Sequence, residues 1–251
     1  MENLTNDPLA PASGLTGKAS AALGRRLFMR YLGATAAAGV ALSACRNEIA
    51  DSATPRGAGR AGFRTVDLGD LGSNDVGILN YAYALEQLEA AFYMQVTMTP
   101  YSGMNSAEMS ILSDIRDHEI IHREFFKAAL GSAAIPGLTP DFSSINFGDR
   151  ASVLGTARVF ENIGVSAYNG AGQFIQNPDY LTLAGKIVSV EARHASIIAT
   201  LINPTSTLFA GDDIIYPNSG LEEIRVPAEV LALVGPYVKE TINAMPVQRK
   251  V

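Results

Sequence analysis

Tryptophan is absent from the 251 residues, cysteine occurs once and histidine three times. One cysteine cannot close a disulfide within the chain or build a thiolate metal cluster. Iron–sulfur centres and structural zinc ribbons are thereby excluded, and any metal must be held by oxygen and nitrogen. A basic excess is also missing. The formal net charge is −6, which gives no electrostatic footprint for nucleic acid. Charged residues are 18% of the chain and hydrophobic ones 47%, enough apolar material for a substantial core in one or two domains.

Long hydrophobic runs are scarce as well. The weakly apolar stretch Tyr31–Ala44 is too short to span a bilayer as a helix. It follows Gly24-Arg25-Arg26-Leu27-Phe28-Met29-Arg30, which resembles a twin-arginine export signal, with Gly24 where Ser or Thr is common. The stretch ends in Leu42-Ser43-Ala44-Cys45, which resembles a lipobox. That resemblance implies cleavage before Cys45 and a lipid on its thiol, and so an exported protein anchored to a membrane of the cell envelope. Residues 1–45 are therefore set aside as an address. Residues 46–73, rich in Ala, Gly, Ser, Arg and Asp without periodicity, are expected to be a flexible tether.

From Asn74 the pattern is helical. Apolar periodicity predicts helices over about 74–98, 106–130, 149–176 and 178–202. Ser73 or Asn74 caps the first, Gly131 follows the second, and Pro178 opens the fourth. The irregular link 132–148 carries Phe142, Ile145 and Phe147, which can cover apolar surface while crossing it. Two short turns separated by one long connection describe two helical hairpins joined by a crossover. Residues 203–251 read as a loop and a short helix near Pro227, either capping the bundle or mediating self-association as a homo-oligomer.

Two of the three histidines end the same phrase, Glu119-Ile120-Ile121-His122 and Glu191-Ala192-Arg193-His194. On a helix, Glu-x-x-His sets a carboxylate and an imidazole one turn apart on one face. Glutamate is 13 of 251 residues, so this placement by accident is about a one per cent event. The surrounding pattern repeats. Glu86 precedes Tyr93 by seven residues and Glu161 precedes Tyr168 by seven, and each pair is followed by a Glu-x-x-His. Each half thus supplies a lone glutamate and a Glu-x-x-His to inward faces. Four carboxylates cannot be buried as core filler, because an isolated buried charge is too costly. Two divalent cations would offset them, and a mixed carboxylate and imidazole set suits iron or manganese better than calcium. Glu89 lies one turn from Glu86, about 60° round the helix, and competes with it as the ligand; the match of Glu86 to Glu161, each with Tyr seven residues on, favours Glu86 and leaves Glu89 either supporting the ligands or at the rim of the site. Tyr93 and Tyr168 are either core aromatics or hydrogen-bond donors to it. His118 falls about 100° from the Glu119 face, which favours a surface position or support of a ligand over ligation.

This pattern resembles the ferritin-like di-iron and di-manganese carboxylate proteins, all-α four-helix bundles with one long crossover between helices 2 and 3. The resemblance spans about residues 74–202, with a short C-terminal helix beyond it. The phrase Leu85-Glu86-Gln87-Leu88-Glu89-Ala90-Ala91-Phe92-Tyr93 is similar to the exported, desiccation-associated bacterial group. The resemblance implies two iron or manganese ions held by Glu86, Glu119, His122, Glu161, Glu191 and His194, with Glu119 and Glu191 bridging. It also implies chemistry on peroxide, dioxygen or ferrous iron in oxidative or desiccation stress, as a peroxidase, a manganese-catalase-like enzyme or a ferroxidase. Rubrerythrin-like electron transfer would need a rubredoxin module, which one cysteine cannot build. The tether and long loops argue against a closed storage shell. A different class of function is a non-catalytic envelope stress protein in which the metals only stabilise the bundle.

Overall fold

The computed structural model describes residues 64–72 and 74–245. The export signal, Cys45 and most of the expected tether lie outside the described residues. The elements run β1 (Thr65–Asp70), α1 (Asp75–Met98), α2 (Ser106–Leu130), α3 (Arg150–Gly172), α4 (Pro178–Ile202), α5 (Pro227–Val234) and β2 (Thr241–Met245). α1 packs on α2 and α3 on α4, so the four long helices form a bundle of two hairpins joined by the crossover.

Each long helix begins where an Asn or Asp side chain satisfies a first-turn amide. Asn74 accepts from Gly77, Asp149 from Ser152 and Asn177 from Asp179. Asn105 and Glu108 form a reciprocal capping box. Gly131 ends α2 at φ +54°, a conformation that favours glycine. Arg150 ties three helices together. Its guanidinium pairs with Glu108 at 2.7 Å and donates to the Leu201 carbonyl at 2.7 Å.

α3 stops at Gly172, earlier than the expected 176. The amides of Phe174 and Ile175 turn back to Ala171 and Gly172, and those of Gln176 and Asn177 donate to the Asp75 carboxylate at 2.7 and 3.0 Å. Asp75 thus draws the end of α3 onto the start of α1.

The end of the expected tether is not free chain. Thr65–Asp70 forms β1, which pairs in parallel with β2, and Val66, Leu68 and Leu71 are buried. β2 itself lies in the segment expected to hold only loop and a short helix. Before α5, Arg225 is fixed to α3. Its amide and guanidinium donate to the carbonyl and hydroxyl oxygens of Ser166, and a Cβ on Gly170 would overlap the Arg225 carbonyl. The C-terminal segment therefore covers the bundle. The crossover does the same on another side, where Phe142 and Phe147 meet the Phe92 ring at centroid distances of 6.0 and 5.9 Å. Under this cladding α1 and α3 are buried on most of their circumference.

Candidate metal centre

The bundle brings one carboxylate from each long helix to its middle: Glu86 on α1, Glu119 on α2, Glu161 on α3 and Glu191 on α4, all at 0% exposure. His122 and His194 arrive one turn after Glu119 and Glu191. The donor atoms fall into two groups, Glu86, Glu119, His122 and Glu191, and Glu119, Glu161, Glu191 and His194. Within each group the atoms lie within 4.8 Å of one another. Glu119 and Glu191 belong to both.

The oxygens divide in a regular way. His122 Nδ1 approaches Glu191 Oε1 at 2.9 Å, Glu86 Oε2 at 3.5 Å and Glu119 Oε2 at 3.6 Å. His194 Nδ1 approaches Glu119 Oε1 at 2.8 Å, Glu161 Oε2 at 3.4 Å and Glu191 Oε2 at 3.5 Å. Each shared glutamate turns one oxygen to each histidine, and each histidine lies closest to the shared glutamate of the other hairpin. These approaches are close without being aligned as hydrogen bonds. Both oxygens of Glu119 and Glu191, one of Glu86, one of Glu161 and the two Nδ1 atoms are buried without a hydrogen-bond partner. Such a concentration of unsatisfied buried atoms calls for a ligand, and their chemistry matches that of hard to borderline divalent cations.

The outer oxygens of the two lone glutamates are held by tyrosines, and the pairing crosses the halves. The Tyr93 hydroxyl donates to Glu161 Oε1, and the Tyr168 hydroxyl donates to Glu86 Oε1. Burial, then the charge of the accepting glutamate, pushes both phenols well above their ordinary range. They stay protonated and remain donors.

Without metal the site holds its charge with protons. Burial and the charge of Glu191 push Glu119 up, and burial lifts Glu161 to about 7 against the pull of His194. Burial also acts upward on Glu191, but contact with both imidazoles brings it down to about 2. Burial disfavours charge on the imidazoles, yet the carboxylates around them prevail. Both stay protonated far above the usual range, His194 up to about 12.

Glu89 lies beside the two groups and outside both. It is buried, with an oxygen 3.1 Å from where a Cβ on Gly164 would sit, so glycine there leaves it room. Burial, then Glu119, Glu191, Glu161 and Glu86, pushes its carboxyl well up. His118 is closer to the site than its helical angle suggests. Its ring meets the His194 ring edge to edge and nearly coplanar, with centroids 5.2 Å apart and its Nδ1 2.9 Å from His194 Nε2. For His194 Nδ1 to offer a lone pair inward, Nε2 must carry the proton and donate it to His118. Arg158, three residues before Glu161, pairs with Asp213 of the C-terminal loop. Among the described residues, no lysine or arginine forms an ion pair with the four carboxylates.

The profile of the ferritin-like domain family matches residues 74–204, just over half of the sequence and all four long helices. The chain belongs to the ferritin-like domain family. No curated protein matches it. This family member carries a buried Glu/His cluster suited to a dinuclear metal site.

Proposed function

We propose that this ferritin-like chain binds two iron or manganese ions and acts as an exported oxidoreductase on peroxide, dioxygen or ferrous iron. One observation carries the reading: two donor groups that share Glu119 and Glu191, with each shared carboxylate giving one oxygen to either side. Glu86 and His122 would complete one metal position, Glu161 and His194 the other, and the shared pair would bridge them. A pair of redox-active ions so held supplies coupled one-electron changes to a small oxidant. The chain supplies the rest. Tyr93 and Tyr168 fix the lone carboxylates, His118 fixes the His194 ring, and the clad helices α1 and α3 keep bulk water from the four glutamates.

The test is turnover by the purified protein, loaded in turn with iron and with manganese and assayed for peroxide consumption and ferrous oxidation. Turnover is expected with at least one metal. Its absence with both, at full loading, would leave the second reading, which the complete burial of all four glutamates favours: metals that only stabilise an envelope protein. Export and anchoring rest on the Arg25-Arg26 and Cys45 motifs. On that reading, Cys45→Ala moves the protein from the membrane to the soluble fraction, and unchanged membrane recovery argues against the lipid anchor.

A further inference from the structure

At one end of the bundle, between the start of α1, the ends of α2 and α3 and the start of α4, lies a partly enclosed cavity of about 40 Å³. Three helices set its wall one turn from the metal centre. Ala82 lies four residues before Glu86, Phe126 four after His122, and Ile187 four before Glu191, about 6 Å along each axis. Tyr168, whose hydroxyl donates to Glu86, also lines it. The cavity therefore lies one helical turn from the carboxylate layer along the bundle axis. The side of the site around Tyr93 is built differently: there Phe92 packs edge-on against Tyr93 and Phe160, each with centroids 5.1 Å apart, and further rings from the crossover fill the space. The two sequence halves match, yet one end is packed with rings and the other is left open inside.

The lining is almost wholly apolar. Tyr81 and Tyr168 line it with their rings: the Tyr168 hydroxyl is given to Glu86 and the Tyr81 hydroxyl is fully buried, so neither turns free polar surface to the cavity. A water ordered there would need two to four polar partners, and the walls do not offer them. We propose that this cavity is a binding site for a small uncharged apolar molecule, held one helical turn from the carboxylates by dispersion contact with its apolar walls. Ferrous ions and peroxide would lose their hydration on entering and regain little. A water needs about 10–15 Å³ of such space, so the guest has only a few heavy atoms. A dissolved diatomic gas such as dioxygen and a small hydrocarbon share this chemistry. Occupancy stands on the cavity alone, whereas delivery of the guest to a metal rests on the reading proposed above.

Xenon is the probe, applied to crystals of the full protein under gas pressure and followed in solution by xenon NMR, with and without metal. Xenon is expected between Ala82, Phe126 and Ile187 in both forms. Ala184→Phe, which fills the cavity from a half-buried wall position, should weaken it about tenfold or more, a loss that one buried ring can supply. Should that variant fold poorly, Ala184→Leu gives a smaller loss in the same direction. Benzene separates the sources: xenon without benzene indicates a diatomic guest, and both together a small hydrocarbon. No xenon in the wild-type protein, or undiminished binding in a folded Ala184→Phe protein, overturns the proposal. Xenon binding to a protein that takes up no metal would uphold the cavity and refute the metal centre; metal without xenon would do the reverse.

Discussion

At the scale of single residues, the metal-free site resembles a proton store. His194 has its pKa raised from the ordinary 6.5 to about 12, and Glu161 from 4.5 to about 7. Both shifts mean that the folded chain holds protons more tightly than the unfolded one. The stability His194 contributes is complete below about 6.5 and is lost as pH rises toward 12; Glu161 acts in the same direction between 4.5 and 7. Glu191, lowered to about 2, works the other way, but only in acid. The chelated protein should therefore show a Tm that falls between about pH 6.5 and 9, with release of protons when metal is added. The loaded protein should be nearly flat over the same range, because cations have replaced those protons. A chelated protein whose Tm rises across that window would contradict the charge state described. The six clustered residues were visible in the sequence, because i, i+3 spacing and repetition are local signals. The crossing of Tyr93 to Glu161 and Tyr168 to Glu86 was not. Within one helix Tyr93 sits two turns from Glu86, and nothing in that spacing says the hydroxyl reaches across to the other half. His118 was legible only as either a surface residue or a support of a ligand: its helical angle points off the site, and only the position of α4 brings His194 Nε2 within 2.9 Å of its ring.

At the scale of elements, the helices were legible because amphipathic periodicity and Asx capping agree, and α2 and α4 match their expected bounds. The strands were not. β1 offers only Val66 and Leu68 as an alternating apolar pair, and its partner Thr241–Met245 lies at the far end of the sequence. A parallel pairing between distant segments leaves no periodic trace in either. The end of α3 was misplaced because Asp75, from another helix, takes the next amides. The glycines of α3 give this scale its test. Ala at Gly170 would collide with the Arg225 backbone and should destabilise the domain by about 1–3 kcal/mol, with easier proteolysis of the segment after 203. Ala at Gly155, where a Cβ meets nothing within 4 Å, should stabilise by up to about 1 kcal/mol. Denaturant melts of the two variants read both signs. Equal effects would mean that the C-terminal segment does not lie against α3.

At the scale of the whole molecule, two matched hairpins meet so that each completes the other's half of one site. The crossover, the C-terminal segment and the β1–β2 pair cover α1 and α3, and this cladding allows four glutamates to sit at the centre beyond the reach of solvent. Burial on that scale without partners would unfold a marginally stable domain, since even one uncompensated buried charge is worth several kcal/mol. The arrangement makes sense as a container for two cations shared through Glu119 and Glu191. The most direct measurement is the number of iron or manganese ions bound per chain, read by elemental analysis after titration and buffer exchange. Two are expected for the wild-type protein and none for the Glu119→Ala, Glu191→Ala double variant, with the helical signal of that variant retained. One ion per chain in the wild type, or two in the double variant, would contradict the shared centre.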